Sequence, residues 1–239
     1  MARQTKSSLS ARILCMTVLA GALAHTEASV VVYLREALVP ARLAAFDASV
    51  AREAIPLLSP EQLRAAGGNI PSLWPLEMAR ELAPLLVLLA AAAGLRRRRG
   101  DFTGLFLLGF AVWDILYYAA LKLLMGWPAS LATWDVLFLI PVPWVAPVWA
   151  PLAVAATLLV AALALLKRPD RRITSAGRAG AAIAMLAGTA LILASFLMRC
   201  RDAVGGVPAA FDWPWFAAGW LLAAAALAWV VSRPLVPRL

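Results

Sequence analysis

The sequence predicts an all-α, polytopic transmembrane bundle of six spans with both termini on the cytoplasmic side. Three observations carry this reading. The 239 residues are 63% hydrophobic and only 15% charged, against roughly half and a quarter in soluble domains, and the mean hydropathy is +0.82. Six continuous Ala/Leu-rich runs lie near 12–34, 73–95, 102–125, 145–166, 177–198 and 213–232, each close to the ~20 helical residues that cross a hydrocarbon core of about 30 Å. The basic residues cluster in alternate inter-span segments. A soluble enzyme, a disordered chain and a disulfide scaffold are excluded by this balance, and a membrane barrel by the lack of strand alternation and turn spacing.

The charges set the orientation. Fourteen of the 22 Lys and Arg fall on one side: Arg3, Lys6 and Arg12; Arg96–Arg99; Lys167, Arg168, Arg171, Arg172 and Arg178; and Arg233 and Arg238. Positive charge is retained on the side from which insertion occurs, so this side is predicted to be cytoplasmic and the membrane a bacterial inner membrane. Only Asp101 and Asp170 join them there, which leaves eleven acidic against eight basic residues in the spans and outside. The formal charge of +9 is therefore a property of the inner face. No nucleic-acid partner is expected, because the basic clusters lack interleaved aromatics. Trp74, Trp127, Trp134, Trp144, Trp149, Trp213 and Trp215 gather near the outer boundary as an interfacial belt.

Taken in order, the first span begins with a segment, 3–24, that also carries signal-peptide features, with Ala22-Leu23-Ala24 as its small-residue site. Cleavage there would leave His25 as the first residue, but the apolar run resumes at Ala28–Leu34 and favours a full span. The loop 35–72 is predicted to be external and partly helical. Leu43, Phe46 and Val50 share one face, as in an interfacial helix, and Ser59-Pro60-Glu61-Gln62 signals a capped second helix ended by Gly67-Gly68. This loop is read as a lid over the bundle or as a docking surface for a protein partner.

The fourth span is predicted to be broken by proline. Thr133 can cap a short outer or re-entrant helix at 134–142, and Pro141, Pro143, Pro147 and Pro151 interrupt the chain before the span proper. In the fifth span Gly180, Ala184 and Gly188 form a seam for close helix packing, within the chain or with a partner. Cys15 and Cys200 are expected at opposite faces, which rules out a disulfide or a CxxC-type metal site within one chain.

Ionisable groups inside spans are costly and hence functional candidates. They are His25 and Glu27 in the first span, Glu77, Arg80 and Glu81 in the second, Asp114 and Lys122 with Tyr117 and Tyr118 in the third, and Asp135 at the fourth. Glu77 and Glu81 share a helix face, as do Asp114, Tyr118 and Lys122, whereas Glu27 points away from His25. Two Trp-Asp pairs, at 113–114 and 134–135, could frame one site. His25, Glu77, Glu81 and Asp114 are the candidates for a metal ion; no cofactor is assigned.

The first reading of this cluster is a site in the outer half of the bilayer that binds or transports a proton, metal ion or small polar solute. In the second, the charges pair with one another (Arg80 with Glu77 or Asp114, Lys122 with Asp135) in a structural or assembly subunit of a larger complex. The third, an intramembrane enzyme using carboxylates as acid and base, has least support. One histidine excludes an HExxH site, and there is no phosphate loop or GxSxG elbow. The segment from Trp113-Asp114-Ile115-Leu116-Tyr117-Tyr118 through Gly126-Trp127-Pro128 and Trp134-Asp135 to Ile140-Pro141-Val142-Pro143-Trp144 resembles an uncharacterised family of bacterial polytopic membrane proteins, and that resemblance implies no activity, substrate or cofactor.

Overall fold

The computed structural model describes residues 8–65, 70–98, 100–167 and 175–233. Arg3, Lys6, Gly67, Gly68, Arg99, the run from Arg168 to Arg172 and Arg238 lie outside the described residues, as does the side chain of Trp74. The elements in order are α1 (Leu9–Ala45), a 3₁₀ turn (Ala48–Val50), α2 (Pro60–Ala65), α3 (Ile70–Leu95), α4 (Asp101–Met125), β1 (Trp134–Phe138), β2 (Trp144–Pro147), α5 (Trp149–Lys167), α6 (Ser175–Leu197) and α7 (Trp213–Ser232). Among the described residues six helices, all but α2, are long and apolar enough to cross a membrane.

α4 is central, with α1, α3 and α5 packed against it. Fully buried Met16, Ala20, Ala24 and Ala28 form a four-residue stripe down α1. This stripe brings α1 onto α4, and Leu88, Leu105, Leu108 and Trp113 complete that core. α6 and α7 pair mainly with each other and meet the rest through α5 and β2. Their contact is very close: a Cβ added at Gly188 would lie 2.7 Å from the Gly219 carbonyl oxygen. The small-residue seam is thus occupied at Gly188 by α7 of the same chain and is not open to a partner there, while Gly180 has open space around it.

Two expectations are corrected. Leu43 lies within α1, which does not stop at residue 34 but runs for 37 residues to Ala45, about 55 Å of rise. Phe46 is its extended C-cap, so no separate interfacial helix carries Leu43, Phe46 and Val50. The helix continues because its basic residues find partners. Arg35 lies over the Trp127 ring at 3.8 Å, and Arg42 donates to three backbone carbonyls. Residues 134–142 are likewise not a helix. β1 and β2 form an antiparallel hairpin pairing Trp134 with Pro147, Asp135 with Ala146, Val136 with Val145 and Phe138 with Trp144, irregular between Val136 and Phe138. Pro141 and Pro143 sit in its turn, where missing N–H groups cost no helical bonds, and cross-strand bonding serves the backbone of the paired strands. Thr133 caps no helix; its hydroxyl accepts from the Ser130 N–H at 3.0 Å.

The signal at Ser59 does form a capping box. The Ser59 N–H donates to Gln62 Oε1 at 2.7 Å and the Gln62 N–H to Ser59 Oγ at 3.3 Å.

At the opposite end from the hairpin, buried Asp101 accepts from Arg12 Nη1 at 2.5 Å and from the N–H groups of Arg97 and Arg98 at 3.0 and 3.1 Å. One carboxylate therefore closes the α3–α4 turn and fastens α1 to it. Asp101→Ala should lower stability by about 1.5–3 kcal/mol, the loss of a charge-assisted bond at a buried site, read as a lowered melting temperature in detergent. Wild-type melting would show that the carboxylate does not hold this turn.

Candidate functional site

A cavity of about 1680 Å³ with mostly apolar walls lies between the α1–α3–α4–α5 group and the α6–α7 pair. Its polar residues are concentrated toward the hairpin end. Arg80 is held there from two helices. Its Nε and Nη2 donate to Glu77 Oε2 and Oε1 at 2.8 and 2.5 Å within α3, and its Nη1 lies 2.6 Å from Glu27 Oε1 on α1. Glu81, one turn beyond Glu77, is 7% exposed. Both its oxygens accept from the Leu139 N–H, at 3.1 and 2.9 Å. That donor lies in the hairpin's connection just after β1, so a carboxylate on α3 satisfies the irregular backbone and fixes the hairpin against the bundle.

Asp135 on β1 is 1% exposed. It accepts from Arg35 Nη2 at 3.2 Å and from the Tyr118 hydroxyl at 3.1 Å. Burial pushes its carboxyl up from the ordinary range, while the Arg35 charge and the Tyr118 hydrogen bond act against that rise. Tyr117 packs edge-on to Tyr118 with centroids 5.0 Å apart. Asp114, on the next turn of α4, has its Oδ2 buried without a hydrogen-bond partner.

Three further buried polar atoms share that condition and belong to residues lining the same cavity: Arg35 Nη1, Trp113 Nε1 and Trp144 Nε1. Buried polar groups are nearly always bonded, so four such atoms around one cavity need an explanation. The aromatic wall beside them is continuous. Ring centroids are 5.7 Å apart for Phe110 and Trp113, 6.2 Å for Trp113 and Phe138, and 5.3 Å for Phe138 and Trp144.

Glu27, Glu77, Arg80, Glu81, Asp114, Tyr117, Tyr118 and Asp135 thus all line one cavity. Of the two Trp-Asp pairs, Trp113 and Asp114 on α4 and Asp135 on β1 line it, whereas Trp134 packs edge-on against Phe211 with centroids 6.1 Å apart. Two candidates stand apart. His25 is on the exposed side of α1. Lys122 does not pair with Asp135; its Nζ donates to the carbonyls of Gly126 and Pro128 at 3.0 and 2.8 Å. Arg80 takes Glu27, not Asp114, as its second partner. Among the described residues no three His, Cys, Asp or Glu side chains are grouped to hold a metal ion, so His25, Glu77, Glu81 and Asp114 do not form one ligand set.

Sequence reasoning missed Arg35, which it counted as a loop charge, and the roles of Trp113 and Trp144. The only signal for Arg35 was an arginine directly after an apolar run. The interfacial belt is also incomplete: Trp213 and Trp215 are 53% and 47% exposed, but Trp127 is buried at 4%, and its Nε1 donates to Glu53 at 2.8 Å.

No family model matches the chain, and neither the curated proteins nor the solved structures show a match to it.

Proposed function

We propose that this chain is a multi-pass protein of the bacterial cytoplasmic membrane, both termini inside, that binds a small polar solute or polar group in the outer half of the bilayer. The observation that carries this reading is the set of four unpartnered buried polar atoms around one cavity. The positive-inside rule supports the orientation: the hairpin end lies opposite Arg12 and Arg96–Arg98. A hydrogen-bonded solute fits better than a bare metal ion, since the described carboxylates are spent on arginines and backbone or stand singly.

The structural-subunit reading keeps one observation in its favour. Arg80 with Glu27 and Glu77, and Arg35 with Asp135, are mutually paired.

Cysteine labelling separates the two. With Cys15 and Cys200 changed to serine, Asp114→Cys should react with a charged, membrane-impermeant methanethiosulfonate in right-side-out vesicles, as should exposed Arg52→Cys. Neither should react in inside-out vesicles. Reaction of Arg52→Cys alone would mean that no polar solute reaches the cavity, and would overturn the binding reading. Reaction of both only in inside-out vesicles would reverse the orientation.

A further inference from the structure

We infer that the ligand of this cavity is amphipathic: a neutral, polyhydroxylated headgroup at the polar end with a long apolar chain lying between α5 and the α6–α7 pair, as in a glycolipid. This rests on the binding reading above and narrows it to a class of ligand. Size is the first argument. The volume of about 1680 Å³ exceeds the roughly 300–1,000 Å³ of pockets for drug-sized molecules. Along α4 the lining runs from Tyr118 to Thr103 and along α6 from Phe196 to Arg178, about 22 and 27 Å of helix rise. That approaches the thickness of the hydrocarbon core. A small solute would fill only the hairpin end and leave the apolar remainder uncovered.

Headgroup chemistry is set by the unpartnered atoms. Arg35 Nη1, Trp113 Nε1 and Trp144 Nε1 are donors and Asp114 Oδ2 is an acceptor. A ligand that satisfies them must both accept and donate, as a hydroxyl does and an ammonium cannot. Charge argues against a phosphate. Glu27, Glu53, Glu77, Glu81, Asp114 and Asp135 line the cavity against Arg35, Arg42, Arg80 and Arg178. At the hairpin end Arg35 and Arg80 are already paired with carboxylates and Arg42 with backbone carbonyls. A further anion would meet a surplus of acid. The aromatic wall of Phe110, Trp113, Phe138 and Trp144 offers apolar faces beside polar edges, which suits a sugar ring with its C–H faces and hydroxyl rim.

The test uses the full chain, purified in a non-glycosidic detergent and placed in phosphatidylcholine nanodiscs. These are doped with dioleoyl monoglucosylglycerol or with dioleoyl phosphatidylglycerol, and retained lipid is counted by native mass spectrometry. The glucolipid should be retained over both phospholipids by at least about tenfold. Asp114→Asn and Trp144→Phe should bring that ratio toward one, and the second, which keeps an aromatic face but lacks the indole N–H, serves if the first fails to fold. Equal retention of the three lipids, a preference for phosphatidylglycerol, or an undiminished preference in folded Trp144→Phe would overturn the inference. Free glucose that displaces the glucolipid at equal concentration would remove the chain from the proposal and leave the polar site standing. Failure of Asp114→Cys to label would instead remove the polar site itself.

Discussion

Replacing Arg42 by alanine is expected to cost about 3 kcal/mol or more, since hydrogen bonds from a charged group are worth roughly 1.5–3 kcal/mol each. Arg42 is 5% exposed. Its guanidinium donates through Nε to the Ala51 carbonyl at 2.9 Å, through Nη1 to Pro56 at 2.5 Å and through Nη2 to Val50 at 2.8 Å. One rigid fork at the end of α1 therefore folds residues 46–56 back over the bundle. The next residue, Leu57, extends the attachment, for its N–H donates to Ala203 at 2.7 Å and its carbonyl accepts from Gly205 at 2.9 Å. Loss of the fork leaves three inward-facing carbonyls without their charged donor and loosens the link between α1 and the α6–α7 connection. Lysine should restore only part of the loss, since an ammonium cannot span three acceptors in a plane. Trypsin reads the effect directly, because Arg52 in this segment has a 67% exposed side chain. Cleavage there should accelerate on the order of a hundredfold for a local loss near 3 kcal/mol, with a lowered melting temperature in detergent. Unchanged cleavage and melting would show that the segment is held by other contacts.

Arg42 also shows where sequence reasoning reached its limit. The six spans were legible because a membrane-crossing helix must be a continuous apolar run that satisfies its own backbone. The capping box at Ser59 was legible because it is local. What was not legible depends on partners distant in sequence. Arg35 and Arg42 read as charges of the outer loop, yet their partners are Asp135, a hundred residues on, and carbonyls presented by a returning segment. The hairpin was mistaken for a helix for a related reason. In a segment as short as Trp134–Phe138 periodicity cannot separate strand from buried helix, and the prolines that mark its turn also resemble helix breaks. Of the site, the Glu77–Arg80 pair follows from helical spacing, while Glu27 joins it only because α1 and α3 meet beside α4. Trp144 looked like a belt residue and Trp113 like half of a Trp-Asp pair, and nothing in composition reveals that an indole N–H lacks an acceptor.

Gly219→Val should separate α6 from α7 and cost about 3 kcal/mol or more, the upper part of the range for overpacking. A Cβ at Gly219 would lie 2.5 Å from the Gly188 carbonyl oxygen, 2.8 Å from the Ile192 nitrogen and 2.8 Å from Leu191 Cβ. Two of these three atoms are backbone, so no rotamer change relieves the clash and the helices themselves must move. Gly188→Ala meets the same obstacle from the other side, 2.7 Å from the Gly219 oxygen and 2.8 Å from the Ala223 nitrogen. Gly180→Ala, in the same four-residue series, meets nothing within 4 Å and should be neutral or stabilising by up to about 1 kcal/mol through helix propensity. The contrast matters beyond stability, because Thr189, Ile192 and Leu193 on α6 and Trp220 and Ala223 on α7 form the far wall of the cavity. Moving the pair apart widens the space for the apolar chain while leaving Arg35, Trp113, Asp114 and Trp144 in place. Gly188→Ala, the milder change, should therefore weaken retention of the glucolipid without altering labelling of Asp114→Cys. Unfolding in sodium dodecyl sulfate, followed by helical circular dichroism, measures the stability half. Equal tolerance of valine at positions 180 and 219 would show that the close approach of α6 and α7 does not hold the cavity's second wall.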